Sequence, residues 1–307
     1  MEEKIFSKLK NLEVVDLHSN LFKDHFQYLH QAFTSFQCQG IILVECSLLW
    51  FVISVHSMFL ICLIITWVIW FLHVLEDWVI ISLSDNTFHG TIPETFAKNN
   101  NLRSLNLNGN QLEGPLPQSL VNCKHLEVLD LGNNKINNTF PHWLGTLPNL
   151  WVLVLRSNRF HGPIENPSTK VSFTNLRIID LDHNEFHGLL LEKYFNYLNA
   201  MMNANANKGE LKYIGDNYYH DSVMVILKRL SIELVKIQNL FTTIDFSNNC
   251  FKGVIPKAIG KMKSLKGLNM SPINLQVTCL YHYEIWPILS GWIFPRTILQ
   301  EKFQDSW

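Results

Sequence analysis

The side chains best suited to catalysis or metal binding are spread thinly along this 307-residue chain. His183 and His187 stand four apart, a spacing that ligates zinc when both residues lie on one face of a helix. Here they follow the end of an expected strand, where helical facing does not apply, so no metal is assigned. His89, His161 and His187 each sit in a Phe-His-Gly triplet at one position of a repeating unit, which makes them an edge pattern and not a ligand cluster. The six cysteines (Cys38, Cys46, Cys62, Cys123, Cys250, Cys279) contain no C-x-x-C pair, so neither a zinc site nor a dense disulfide framework is indicated. G-x-S-x-G, phosphate-loop, H-E-x-x-H and kinase signatures do not occur. The chain is read as a non-enzyme, with no catalytic residue, metal or cofactor.

The residue that organises the chain is an asparagine. Asn86, Asn110, Asn134 and Asn158 are 24 residues apart, Asn184 follows after 26, and Asn20 and Asn249 sit in matching local sequence. Apolar residues stand eight, five and three positions earlier, as Leu102, Leu105 and Leu107 do before Asn110, so the unit reads L-x-x-L-x-L-x-x-N. Two positions after the Asn comes Leu, Ile or Phe, and four after it comes Gly (Gly90, Gly114, Gly162, Gly188), with Asn138 as the exception. A fixed period of this length signals stacked coils. The x-L-x-L segment predicts a short strand whose leucines point inward and whose other residues face outward on a parallel sheet. An inward amide offers donors and an acceptor to backbone groups freed where the chain leaves the strand. Each such bond contributes ~1 kcal/mol net, and leaving a buried partner unpaired costs roughly 1–3 kcal/mol. One coil cannot cover its own leucines, so stacking supplies the stability, ~1.5–3 kcal/mol per fully buried Leu or Phe.

This pattern resembles the leucine-rich repeat, in the plant extracellular form with an L-x-G-x-I-P continuation. Residues 78–191 match over nearly five coils, Leu12–Phe22 match part of another and Phe241–Pro256 a further one. In the last coil (Leu265, Leu268, Met270) Ile273 stands where Asn belongs, and strain or fraying is expected there. The resemblance implies an α/β solenoid with a parallel sheet on its concave face, and a fragment of a plant receptor-like protein ectodomain.

Stacking sets the outward residues in columns: Arg103, Ser104, Asn106; Glu127, Val128, Asp130; Trp151, Val154, Arg156; then Arg177, Asp180, Asp182, His183. A rigid curved sheet suits an extended peptide or a protein ligand. The candidate binding residues are therefore Arg103, Asn106, Glu127, Asp130, Trp151, Arg156, Arg177, Asp180 and Asp182. Trp151, Arg156 and Arg177 are the preferred anchors, because exposed Trp and Arg are enriched in binding hot spots. The column Asp16, Asp130, Asp180, Asp245 is read as a solubility habit. With 25 basic and 26 acidic side chains, nothing electrostatic advertises a nucleic-acid partner.

Two segments interrupt the array. Asn184 and Asn249 are 65 apart, about 41 beyond one period. Residues 193–236 fill that gap, with a helix-tolerant Ala/Met/Asn beginning and strand-like alternation from Ser222 to Leu230. They resemble the island of plant receptor-like proteins, which the resemblance implies helps form the ligand site. The second interruption, residues 41–75, holds one formal charge, Glu45, and is long and apolar enough to span a bilayer. Read two bases further on, however, allowed codons turn this region into further repeats, with ladder asparagines at the Gly40/Ile41 and Ile64/Ile65 junctions. The same shift after Val277 also yields repeat sequence. The expected division is a partial repeat at 1–35, an apolar, membrane-like segment at 36–77 read as out-of-frame repeat, repeats at 78–192, the island at 193–236, repeats at 237–276 and an aberrant, out-of-frame tail at 277–307.

Sequons at Asn137 and Asn269 are candidate glycan sites, Asn137 the better placed. The expected role is recognition at the plasma membrane with the repeats extracellular, in defence or developmental signalling. The partners would be a peptide or protein ligand and a co-receptor kinase, with anchorage through the family's membrane segment or residues 41–75. Other classes weighed are a soluble wall-associated inhibitor of a secreted polygalacturonase, whose arrays are uninterrupted, a membrane-anchored enzyme, and the non-functional product of a disrupted gene.

Overall fold

The computed structural model describes residues 14–16, 79–92, 94, 96–164, 173–202, 213–214, 223–227, 230–234, 236–270 and 274–276. The expectations for Asn20, for the apolar segment 41–75 and for the tail 277–307 fall outside the described residues. Among the described residues no helix is long and apolar enough to cross a membrane.

The inward leucines and outward polar residues fold as strands of three residues each. Val14–Asp16, Ile80–Ser82, Ser104–Asn106, Val128–Asp130, Val152–Val154, Ile178–Asp180, Thr243–Asp245 and Gly267–Asn269 form one parallel sheet in that order. Their register is unbroken: Leu105 pairs with Leu129, Leu129 with Leu153, Leu153 with Ile179 and Ile179 with Ile244. These central residues are fully buried, and together with Leu102, Leu126, Leu150 and Leu176 they build one core running along the coils. The fold is an α/β solenoid. Short 3-10 turns at Gln118–Asn122, His142–Thr146 and Lys257–Lys261 carry the chain back to the next coil.

The recurrent asparagines turn inward and stitch each coil to the one before. Asn134 Nδ2 donates to the carbonyls of Leu131 (3.1 Å), Gly132 (2.9 Å) and, one coil back, Leu107 (2.9 Å). Its Oδ1 accepts from the Leu112 N–H at 3.0 Å. Asn110, Asn158 and Asn184 repeat the arrangement. The residue before each Asn makes the turn: Asp85, Asn133, Ser157, His183 and Asn248 have φ of 48° to 53°, and Gly109 has 68°. This left-handed conformation admits Asn and Asp more readily than branched side chains. It also shows why His183 and His187 share no helical face. Beyond the Asn, Phe160, Phe186 and Phe251 stack ring on ring at 5.9 and 6.2 Å.

The final coil differs from expectation. Despite Ile273, Gly267–Asn269 pairs in register with Thr243–Asp245, and Asn274–Gln276 pairs with Cys250–Val254. Leu265, Leu268 and Met270 remain buried, so apolar packing keeps the coil in place. The island segment begins as core structure: helical turns at Glu192–Phe195 and Asn199–Met202 bury Tyr194, Phe195, Leu198 and Met201 against the coils. Its alternating stretch is an antiparallel hairpin of Val223–Leu227 with Leu230–Leu234, Val225 facing Ile232.

Candidate ligand-recognition face

The outward side of the large sheet is only partly open, because the island hairpin lies on it. Val128, Val152, Val154 and Ile178 point away from the main core, yet each is almost completely buried. They form a second apolar cluster with Ile214, Val223, Val225 and Ile237, against which Trp151, Leu234 and Phe241 also pack. The hairpin has a polar fastening as well: Arg156 Nη1 donates to the Met224 carbonyl at 3.2 Å and stands 3.8 Å from Asp180 Oδ2.

This arrangement corrects the expectation that the outward column is solvent-exposed. Arg156 and Arg177 are 9% exposed, Asp130 3%, and Asp180 and Asp182 2%. The physical reason is the docked hairpin together with a polar network beneath it. Trp151 is half-buried, and the Arg177 guanidinium lies 4.9 Å from its ring centroid. Of the nine candidates, Arg103, Asn106, Glu127 and Trp151 are half-buried and the rest buried, with Arg103 and Glu127 paired at 3.9 Å and their side chains 40% and 24% exposed. Asn106 Oδ1 accepts from the Asn108 N–H at 3.1 Å.

Below the hairpin the aspartates form a connected network. Asp130 Oδ1 accepts from Asn108 Nδ2 and the Gly132 N–H, both at 2.9 Å. Asp182 Oδ1 lies 2.7 Å from both Ser247 Oγ and Asn248 Nδ2. Ser247 Oγ also contacts Asp245 Oδ1, and Asp245 Oδ2 accepts from Asn269 Nδ2 at 2.9 Å. A serine hydroxyl has one proton to give, so its two carboxylate contacts are both hydrogen bonds only when one carboxyl group holds a proton. Burial pushes the Asp245 carboxyl up to about 6, against the lowering effect of Ser247 and with Asp182 adding repulsion. Burial also raises Asp180 well above the usual carboxylate range, Asp245 adding to the effect and Arg156 opposing it. Asp130 is raised by burial, offset by its bonds to Gly132 and Asn108. Among the described residues no group of three His, Cys, Asp or Glu side chains is placed to hold a metal ion.

The sequons fall on opposite sides of this picture. Asn137 is exposed after its strand, whereas Asn269 is half-buried with its amide in the aspartate network. Sequence reasoning missed the hairpin's seat. The signal was present in Val128, Val152, Val154 and Ile178, four apolar residues on a face where polar ones are expected.

Comparison with known proteins settles what the coils are. A family profile described as "Leucine rich repeat" matches residues 116–160, and a second one, "Leucine Rich Repeat", matches 101–123 and 241–262. Receptor-like protein 32 of Arabidopsis thaliana is 47% identical over 110 residues, which are 34% of this chain and 12% of that protein. Receptor-like protein 18 from the same plant is 46% identical over 108 residues, 34% and 13% of the two chains. The matched coils are leucine-rich repeats, and the stretch that carries them is similar to plant receptor-like proteins. This chain thus spans about an eighth of the length of the receptor-like proteins it matches. Among solved structures, the PEPR1–AtPEP1 complex aligns over 66% of this chain and 22% of that chain, with a TM-score of 0.47 and 22% identity. The Arabidopsis receptor kinase HAESA, solved with the peptide hormone IDA and the co-receptor SERK1, aligns over 72% of this chain and 33% of its own, with a TM-score of 0.45 and 24% identity.

Proposed function

We propose that this chain is the ligand-recognition part of a plant cell-surface receptor-like protein, with its repeats outside the cell and its ligand a peptide, an elicitor or a co-receptor. In this reading residues 78–192 and 237–276 are the scaffold, and the island at 193–236 supplies one wall of the site. One observation carries it: an inserted hairpin docks on the outward face of the large sheet beside accessible polar residues. Arg103, Asn106 and Glu127 line the accessible part, and Trp151, braced by Arg177, stands at its junction with the hairpin. A half-buried aromatic ring next to polar and charged neighbours is the usual make-up of a binding hot spot. The preformed sheet limits the ordering cost of binding. Asp130, Arg156, Asp180 and Asp182 act in this proposal from beneath, holding the hairpin in place. The relatives' names, receptor-like proteins, support the assignment to a receptor.

The test is selection of binders from a random peptide library on the secreted chain, followed by Trp151→Ala and Arg103→Glu. Each substitution is expected to weaken a selected peptide at least tenfold, about 1.4 kcal/mol. Peptides indifferent to both and sensitive to Lys135→Glu, on the outer edge of the coils, would count against the concave face as the site.

A further inference from the structure

A groove of about 580 Å³ crosses three successive coils away from the strands of the large sheet, the first of them contributing Glu94. Gln118 and Ser119 contribute from one coil, and Asn138, Thr139, His142 and Trp143 from the next. Trp143 is half-buried and packs on the main core, while the His142 ring stands edge-on to Phe140 at 4.9 Å. Asn138 and Thr139 are also the second and third residues of the sequon that begins at Asn137. The Asn137 backbone is fixed by a bond from its N–H to the Gly114 carbonyl at 3.0 Å, and the residue is exposed.

We propose that Asn137 carries an N-linked glycan and that the first sugars of this glycan lie in the groove against Trp143. A pyranose has an apolar C–H face and a rim of hydroxyls. The groove supplies the matching chemistry, an aromatic ring flanked by amide, hydroxyl and imidazole groups. Asn137 directly precedes Asn138 of the lining, one extended residue spanning ~3.3–3.6 Å, so a sugar on the exposed Asn137 amide is within reach of the groove. Asn269 is unsuited to the same modification. Its Nδ2 donates to Asp245 Oδ2 at 2.9 Å and to Ser247 Oγ at 3.1 Å, and a sugar on that nitrogen would replace one of the two protons that make these bonds.

Glycosylation requires passage through the secretory lumen, which the receptor reading provides in the plant. In the experiment a leader peptide on the full chain in cultured mammalian cells provides it, so the outcome is independent of that reading. Mass spectrometry of the tryptic peptide Ile136–Arg156 is expected to show a glycan that Thr139→Ala abolishes and Thr139→Ser keeps, with the Asn269 peptide unmodified. A bare Asn137 on chain recovered from the medium, or a glycan on Asn269, overturns the site. The seat in the groove is read from native release by peptide N-glycosidase. Release is expected to be roughly fivefold faster in Trp143→Ala and in Gln118→Trp, which fills the groove from an exposed position, the ratio being that of one ordinary aromatic contact. All three proteins should match after denaturation. Equal native rates in Gln118→Trp and the unsubstituted chain overturn the seat, even where Trp143→Ala fails to fold.

Discussion

Two polar columns run across the coils, and they handle burial in opposite ways. In the asparagine column a neutral amide meets backbone donors and acceptors of its own coil and the preceding one. In the aspartate column Asp130, Asp180 and Asp245 are more secluded still, with the guanidinium of Arg156 placed 3.8 Å from Asp180. The first solution does not titrate, so the frame of the solenoid is insensitive to acidity. The second holds carboxyl groups that burial raises, so a response to acidity is expected on the face that bears the hairpin.

The largest expected effect breaks the neutral column. Asn158→Leu removes the donor to the Leu131, Leu155 and Arg156 carbonyls and the acceptor for the Ile136 N–H. A loss of about 3 kcal/mol is expected. For a chain of this size that is a fall of roughly 6–12 °C in Tm, measured by circular dichroism, with the same shift at acid and neutral pH.

The next effect belongs to the acidic column and has the reverse pH sense from ordinary acid denaturation. The folded Asp245 titrates at about 6, above its unfolded value of 3.8. Between those values the folded state therefore holds more protons than the unfolded one, and stability falls as pH rises. The contribution is fully present below the unfolded value and is lost by the time pH passes the folded one. Its size is on the order of 3 kcal/mol, followed by urea titration across that window. Asp245→Asn should flatten the profile. A chain that gains stability steadily with pH over this range would contradict the account of the aspartate network.

Smaller changes sharpen the contrast between scaffold and face. Val152→Ala takes contacts from beneath the hairpin and should weaken its seat by about 1 kcal/mol. Hydrogen exchange is then expected to quicken at 223–234 and to stay unchanged at Leu107 and Leu112, which lie by the asparagine column. Arg156→Lys keeps a charge beside Asp180 but loses the planar reach to the Met224 carbonyl. It should cost less than ~1 kcal/mol, visible as faster exchange in the same hairpin with little change in Tm.

The coil frame was readable in advance for a physical reason. Asn110, Asn134 and Asn158 meet the same surroundings every 24 residues, so one chemical argument applied to all of them. The phenylalanine stack and the inward leucines followed from the same spacing. The candidate face was less legible, because its decisive contacts have no period. Val128 and Val152 meet Val223 and Val225 across a long excursion of the chain, and local patterning carries no record of such a meeting. The burial of Asp180 and Arg156 depends on that meeting and on each other, so a residue that reads as solvated in isolation turns out to be enclosed. The helical turns at Glu192–Phe195 and Asn199–Met202 joined the main core, although their sequence continues no repeat.

Asn249 takes the Phe186 N–H and the Leu181 carbonyl as partners, residues 63 and 68 positions earlier, and Thr243–Asp245 adds directly to Ile178–Asp180. The spring closes behind the excursion as though nothing had been inserted. Whatever loops out between these two windings can be lengthened, shortened or rewritten without retuning the pitch on either side. That is a mechanical licence for diversification: novelty accumulates at one seam, and the rest of the coil is spared.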